Sequence, residues 1–288
     1  MITNKHNLPQ SIVDAVTFDN HKSADYSVTQ ILKDPKEILL TKRHQHEVDE
    51  DASEKIWALF GTAVHSVLER QRNENCLVEE YLTTEVHGKK VSGTLDLYQD
   101  KTIQDYKTVS VWGIVYKSQY KKWEEQLNCY AYMLREQGFD VEKIQVVAII
   151  RDWQKSKSKF DPTYPQSQVV TIDLPLWAEV STDDEMNAKD FISMKVREIE
   201  KRIDLADDEI EPCLPESRWK RPDVYKCIKG TNKKSSRNLP TEKEAQEWID
   251  KQDKGTFKIE FVKGADLKCA EYCSVNCFCN YYKDSQNV

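Results

Sequence analysis

Apolar and polar positions along the chain recur with two periods, which predicts a mixture of helices and strands. Phe60, Val64, Val67 and Leu68 recur at the spacing of one helix face. The run at 143–151 is mostly apolar, as in a strand buried on both faces. Helices are predicted over 28–41, 59–71, 116–137, 183–205 and 241–252, and strands over 77–85, 91–98, 102–109, 143–151, 169–174 and 256–262.

The predicted hairpin at 91–109 carries the first candidate chemistry. Side chains alternate along a strand, so Asp96 shares a face with Thr94 and Tyr98, and Asp105 shares a face with Lys107. If these faces coincide, two carboxylates and an ammonium converge, and the carboxylates repel each other unless a cation lies between them. Hard oxygen ligands suit Mg²⁺ or Mn²⁺. The alternative is a solvated hairpin with one Asp–Lys surface pair.

Two predicted helices could add to this site. Gly61, His65 and Glu69 lie at i, i+4 and i+8, so His65 and Glu69 can face one cation. Gln126 and Tyr130 lie at i and i+4, where an amide and a hydroxyl can contact a nucleic-acid backbone. The alternatives are a histidine at a helix surface and a half-buried tyrosine in an amphipathic helix.

Composition and charge narrow the class of protein. The 288 residues include seven Trp and thirteen Tyr, enough apolar surface for a sizeable core. The net charge of −7 excludes a general polyanion binder, so any nucleic-acid contact must use local positive charge. No apolar run approaches the roughly 18 residues of a membrane span. The first residues do not resemble a secretory signal, and we expect a cytoplasmic protein.

The composition changes near residue 211, which predicts a core over 1–210 and an appendage over 211–288. The segment 218–237 holds eight basic residues and one acidic residue, Asp223. Cations interleaved with aromatic rings are typical of DNA-contacting surfaces, and a solvated basic loop is the alternative. The candidate DNA contacts here are Arg218, Trp219, Lys220 and Arg221.

The appendage also holds a cysteine cluster at metal-ligand spacing. Cys269, Cys273 and Cys279 supply three thiolates, with Cys277 spare. Cys213 is the candidate fourth ligand and Cys227 the runner-up. The alternative is a set of reduced, buried cysteines.

Four short motifs in order resemble one family. G-T-A-V-H (61–65), G-T-L-D (93–96), D-Y-K-T (105–108) and Q-L-N-C-Y (126–130) resemble the RecB-type branch of the PD-(D/E)xK nucleases, over about residues 55–135. The resemblance implies an α/β, restriction-endonuclease-like core, a mixed central sheet flanked by helices. It also implies site roles by residue: metal ligation by His65, Asp96, Asp105 and the backbone carbonyl of Tyr106, catalysis by Lys107, and DNA holding by Gln126 and Tyr130. Glu69 is added from helix geometry alone.

The cysteine-rich appendage resembles the tail of phage-encoded relatives, with C-x₃-C-x₅-C and an upstream cysteine near E-x-R-W (216–219). That resemblance implies a [4Fe–4S] cluster, with Zn²⁺ as the second choice, acting as a structural staple. The chain departs from other relatives, whose first cluster ligand precedes the G-x-x-x-H helix, because Cys76 follows that helix here.

These patterns together predict a DNA nuclease that uses one or two Mg²⁺ or Mn²⁺ ions. The resemblance favours an exonuclease in recombination or end processing, acting on linear DNA or single-stranded ends in a bacterial host's cytoplasm. A recombinase, a single-strand annealing protein or a helicase is the candidate protein partner. The alternative is a catalytically silent DNA-binding or helicase-partner protein that retains the fold.

Overall fold

The computed structural model describes residues 2–17, 23–70, 75–183 and 185–286, and their contacts divide the chain into two units. Unit 1 comprises the residues up to Leu39 together with Gln45–Asp204. Unit 2 comprises Leu40–His44 and the residues from Leu205 onward. The division falls six residues before the predicted boundary at 210, and it assigns an early segment to unit 2.

Strands and helices alternate through most of unit 1, whereas unit 2 holds shorter elements. The strands are β1 Ile2–Thr3, β2 Tyr26–Ser27, β3 Glu50–Asp51, β4 Cys76–Val86, β5 Lys89–Gln99, β6 Thr102–Val109, β7 Lys143–Ile150, β8 Val169–Leu174, β9 Val224–Lys229, β10 Arg237–Leu239 and β11 Phe257–Val262. The helices are α1 Gln10–Thr17, α2 Val28–Ile31, α3 Pro35–His44, α4 Ile56–Leu68, α5 Val111–Val115, α6 Tyr120–Glu136, α7 Lys155–Phe160, α8 Ala188–Glu200, α9 Glu242–Asp250, α10 Leu267–Glu271 and α11 Asn280–Gln286, with 3₁₀ turns at Ala52–Lys55 and Asn276–Phe278.

Unit 1 is built on a mixed six-stranded sheet flanked by helices. The order β2-β5-β6-β7-β8 runs across the sheet, and β4 pairs with β5 outside this path. The β2–β5 and β6–β7 pairs are parallel, and the β4–β5, β5–β6 and β7–β8 pairs are antiparallel. The mixed α/β class expected from the sequence is therefore observed.

Two tight turns set the register of the strands that carry the candidate site. Asp100 and Lys101 have φ values of 48° and 59°, and they connect β5 to β6 through the pair Gln99↔Thr102. His87 and Gly88, with φ values of 51° and 69°, connect β4 to β5 in the same way. Two consecutive left-handed residues form the turn whose twist matches that of the flanking strands. The predicted hairpin at 91–109 is confirmed.

Helix α6 covers the sheet with one apolar face. Leu127, Met133 and Leu134 are fully buried, and Ile144 and Ile150 of β7 are buried with equal completeness. Each such side chain contributes about 1.5–3 kcal/mol through its removal from water. The helix therefore fixes the position of the strands beneath it.

Unit 2 contains a small antiparallel sheet in the order β10-β9-β11. Helix α9 packs on this sheet, where Ala245 is fully buried and Trp248 meets Phe257 edge to face at 5.4 Å. Thr241 caps the helix by accepting a hydrogen bond from the Glu244 N–H, as the capping-box pattern predicts. Strands β9 and β10 were not predicted, because they lie within the basic segment.

Several predicted boundaries differ from the structure for local reasons. The predicted helix at 28–41 is two helices, α2 and α3, because Pro35 cannot continue a helix and instead begins α3. The predicted helix at 116–137 begins at Tyr120, after the short helix α5. Gln71, the last residue of the predicted helix at 59–71, lies outside the described residues, as does position 184. Among described residues, no helix is both long and apolar enough to cross a membrane.

Candidate active site

The candidate site forms where β5 and β6 part. Their ladder runs from Gln99↔Thr102 to Leu97↔Gln104, and the next pair in register is Asp96 and Asp105. Beyond this point a side chain of β5 bonds the backbone of β6: Asp96 Oδ2 accepts a hydrogen bond of 2.6 Å from the Tyr106 N–H. Asp96 and Asp105 are only 7% and 2% exposed. The alternative of a solvated hairpin with a surface Asp–Lys pair is therefore wrong.

Lys107 lies beside Asp105 on the same strand face. Its Nζ is 2.6 Å from Asp105 Oδ2, an ion-pair contact in which that oxygen accepts no hydrogen bond of acceptable geometry. Burial raises the pKa of Asp105, Lys107 lowers it only in part, and nearby Asp96 raises it further. A buried carboxylate with an unbonded oxygen is the kind of group that accepts a cation.

His65 reaches the same place from helix α4. Its Nε2 lies 2.9 Å from the Tyr106 carbonyl oxygen, and its Nδ1 lies 3.2 Å from Asp96 Oδ1. The pKa of His65 is raised to about 10, mainly by its contact with Asp96 and then by that with Glu79, while burial opposes the shift. The imidazolium form is therefore favoured, with Nε2 donating to the Tyr106 carbonyl and Nδ1 facing the two carboxylates.

Glu79 is a site residue that the sequence analysis missed. Its Oε1 lies 3.6 Å from His65 Nδ1, although Glu79 belongs to β4. Its φ of 51° lies in the left-handed region, and the ladder between β4 and β5 passes from Val78↔Leu97 to Glu80↔Leu95 without it. Backbone strain in a non-glycine residue at a site is retained only where the surroundings hold it in place.

Glu69 does not take the place that helix geometry assigned to it. Helix α4 ends at Leu68, and Glu69 is its C-cap residue, with its N–H bonded to the His65 carbonyl. The group of ligand atoms that lies within 4.8 Å of one another contains His65, Glu79 and Asp96 among the described residues. The turn at 87–88 carried the missing signal, because it pairs residues on either side of it and so places Glu79 opposite Asp96.

The donor set fits a hard or borderline divalent cation. Two carboxylates and an imidazole suit Mn²⁺ well and Mg²⁺ acceptably. The Tyr106 carbonyl, the further ligand that the resemblance implies, lies outside this set, because it faces Nε2 of His65 at 2.9 Å whereas both carboxylates face Nδ1. Asp105, the ligand implied by the resemblance, lies outside this group and faces Lys107 instead.

Gln126 and Tyr130 lie beneath the sheet and not at its surface. They are 8% and 3% exposed, and Gln126 Nε2 donates to the Tyr130 hydroxyl at 2.9 Å. A Cβ on Gly93 would lie 2.3 Å from the Tyr130 ring, so the glycine permits this close approach. The expectation of direct DNA contact is not supported by such burial. Tyr130 instead packs against β5 at Gly93, and Gln126 holds the Tyr130 hydroxyl.

In unit 2 the predicted DNA contacts divide into two kinds. Arg218 is 7% exposed, pairs with Asp266 at 2.9 Å and stacks on Tyr281 at 4.2 Å, so its charge is already used within the fold. Trp219, Lys220 and Arg221 are exposed, and Trp219 lies 5.1 Å from the Tyr272 ring. Arg218 is therefore a structural residue, because a paired and buried guanidinium is not available to phosphate.

Cys273 and Cys279 lie near enough to the Cys269 thiol to affect its pKa, but no three cysteine sulfurs among the described residues lie within 4.8 Å of one another. The pKa of the Cys269 thiol is raised to about 11, first by burial, then by Asp266 and by Cys273 and Cys279. Cys213 lies in the same unit and is partly buried. Cys227, the runner-up ligand, is fully buried in the small sheet and its thiol contacts the Ala245 carbonyl at 3.7 Å. It serves as a core residue there.

Comparison with known proteins adds little to this geometry. Neither a protein-family model nor a curated protein matches the sequence. Among solved structures, the crystal structure of SSO0001 is similar at a TM-score of 0.43 and 16% identity, over 68% of this chain and 84% of that chain. A similarity of this size carries no argument about function.

Proposed function

We propose that the chain is a divalent-metal-dependent nuclease that hydrolyses phosphodiester bonds in DNA, acting as an exonuclease in recombination or end processing. One observation carries the proposal. Two buried carboxylates, an imidazole and an ammonium converge where β5 and β6 part, and an acidic residue with a left-handed backbone completes the group. Convergent titratable groups with shifted pKa values and retained strain are typical of active sites.

The side chains that would bind the metal and the backbone groups that orient them have separate roles. His65, Glu79 and Asp96 would hold a Mg²⁺ or Mn²⁺ ion, which when bound polarises a phosphate oxygen and acidifies a water molecule. The Tyr106 N–H fixes the Asp96 carboxylate, and the Tyr106 carbonyl holds the His65 ring in orientation. The backbone of β6 thus positions Asp96 and His65.

Lys107 supplies the positive charge that phosphoryl transfer requires. Its side chain is 25% exposed, whereas that of its partner Asp105 is 3% exposed, so a buried carboxylate holds a partly exposed lysine. In this position it stabilises negative charge that develops on the phosphate and orients the attacking water. Asp105 keeps the ammonium in place.

Cleavage of end-labelled linear DNA in Mg²⁺ or Mn²⁺ tests the proposal. Lys107→Ala is expected to lower the rate by a factor of at least about 100, the scale for losing one stabilising group in the transition state. Lys143→Ala is the matched control, because Lys143 lies at the far end of the neighbouring strand and pairs with Asp173 at 3.0 Å. Equal rates for wild type and Lys107→Ala, or DNA binding without cleavage in either metal, would leave the silent DNA-binding alternative. Resistance of circular DNA would support exonuclease action.

We also propose that Cys213, Cys269, Cys273 and Cys279 hold a structural [4Fe–4S] cluster, with Zn²⁺ as the second choice. The C-x₃-C-x₅-C spacing and the presence of all four cysteines in unit 2 support it. A small unit with little core gains stability from such a centre. A recombinase, an annealing protein or a helicase is the proposed class of protein partner.

A further inference from the structure

Two segments of unit 1 concentrate positive charge in an acidic protein. Residues 111–122 and 151–160 hold seven basic side chains and one acidic one, Asp152, while the whole chain carries a net charge of −7. The segments are tied together, because the Val111 N–H donates to Asp152 Oδ1 at 2.7 Å. They therefore form one local basic surface that would attract a polyanion.

Large aromatic rings lie exposed on the same surface. Trp112 and Tyr116 are 49% and 72% exposed, and their rings stack at 5.6 Å with an interplanar angle of 18°. Lys157 Nζ lies 6.0 Å from the Trp112 ring. Arg151 stacks on the exposed Trp57 ring at 4.4 Å. We call Trp57, Trp112, Tyr116, Arg151 and Lys157 the stacking platform.

Most of the stacking platform lies in the segments that come directly after β6 and β7 along the chain. Segment 111–122 begins two residues after the end of β6, and segment 151–160 begins where β7 ends. Trp112 follows Lys107 by five residues, which limits their separation to about 18 Å. Trp57 belongs to α4, the helix that carries His65. A strand lying on the platform would reach the site within a few nucleotides.

We propose that the stacking platform binds single-stranded DNA and guides its end to the site at Asp96 and Lys107; the guiding role rests on the proposed nuclease function, and the binding does not. Unpaired bases offer their faces to exposed rings, while cations meet the phosphates. Duplex DNA would use the charges and leave the rings without partners. The combination of stacked rings with local charge thus favours a single strand.

Fluorescence anisotropy in a Lys107→Ala background, where cleavage cannot confuse binding, tests the platform. The probes are a labelled oligothymidine of about 20 nucleotides, longer than one single-strand site, the matching duplex and an oligouridine. The double substitution Trp112→Ala and Tyr116→Ala is expected to weaken oligothymidine binding by about tenfold or more and duplex binding far less. Phe139→Ala is the control, because Phe139 is an exposed ring that precedes β7 and so lies at the other end of that strand.

The outcomes separate the platform from the nuclease. Unchanged oligothymidine binding in the double variant would overturn the platform, as would equal losses for single strand and duplex. Tighter binding of oligouridine than of oligothymidine would assign the surface to RNA and overturn the choice of DNA. Loss of oligothymidine binding supports the platform even if the wild-type protein cleaves no DNA. The absence of cleavage would refute the proposed nuclease function and not the platform. Circular dichroism and thermal melting of each variant establish that it is folded.

Discussion

Replacing Glu79 with glycine is expected to weaken metal binding without weakening the fold. The left-handed backbone of Glu79, at φ 51°, costs a non-glycine residue about 1–2 kcal/mol, which glycine does not incur. Glycine loses about 0.5–1 kcal/mol through its greater freedom in the unfolded chain. The contact with His65 is partly solvated and contributes less than about 1 kcal/mol. These terms largely cancel, so the free energy of unfolding should change little, by about 1 kcal/mol at most.

Two matched variants distinguish the effect of the Glu79 backbone on stability from the effect of its carboxylate on metal binding. Glu80→Gly changes the neighbouring residue, whose φ is not positive, and should lower the free energy of unfolding by about 1 kcal/mol. Glu79→Gln keeps the backbone strain and removes the charge, so Mn²⁺ affinity should fall by at least about tenfold. Urea unfolding in EDTA measures the first quantity and calorimetric titration with Mn²⁺ the second. Equal destabilisation by Glu79→Gly and Glu80→Gly would refute the strain argument, and unchanged Mn²⁺ affinity in Glu79→Gln would remove Glu79 from the ligand set.

Three further variants or conditions test the site and the cysteine centre. Gly93→Ala should lower the free energy of unfolding by about 1–3 kcal/mol, since its Cβ would lie 2.3 Å from the Tyr130 ring, and the loss should shrink in a Tyr130→Leu background when both are unfolded in urea. Mn²⁺ affinity should rise about tenfold per pH unit between pH 6 and 9, because binding displaces the proton that His65 holds up to a pKa of about 10; calorimetric titrations that give a flat profile would contradict this. Anaerobically purified protein should be brown and lose its iron in Cys269→Ser, whereas colourless protein with one zinc would select the zinc site, and metal-free folded protein would exclude both.

Much of the hairpin could be predicted from sequence because its information is local. Alternation along each strand determines which side chains share a face, and the two-residue turn at Asp100 and Lys101 sets the register that brings Asp96 opposite Asp105. The capping residue Thr241 is also recognised from a four-residue pattern. In each case the cause lies within a few positions of the effect.

The remaining features depend on contacts between distant segments. Glu79 enters the site through one left-handed residue, and no propensity scale favours that conformation for glutamate. Arg218 was expected at the surface because a run of like charges says nothing about Asp266, which lies 48 positions away and pairs with it. Gln126 and Tyr130 have the expected helical spacing, but which face of α6 is buried is decided by the sheet. Burial and partners are tertiary properties.

Helix α3 has a consequence for how the polypeptide acquires its structure during translation. Its last residues, Leu40–His44, pack with unit 2, where His44 contacts Asp207 at 2.7 Å and stacks on Phe278 at 3.9 Å. The ribosome makes Asp207 163 positions after His44 and Phe278 later still. The carboxyl-terminal turn of α3 must therefore wait for its partners until most of the polypeptide has emerged. A fragment that starts at Leu205 would lack Leu40–His44, which belong to unit 2.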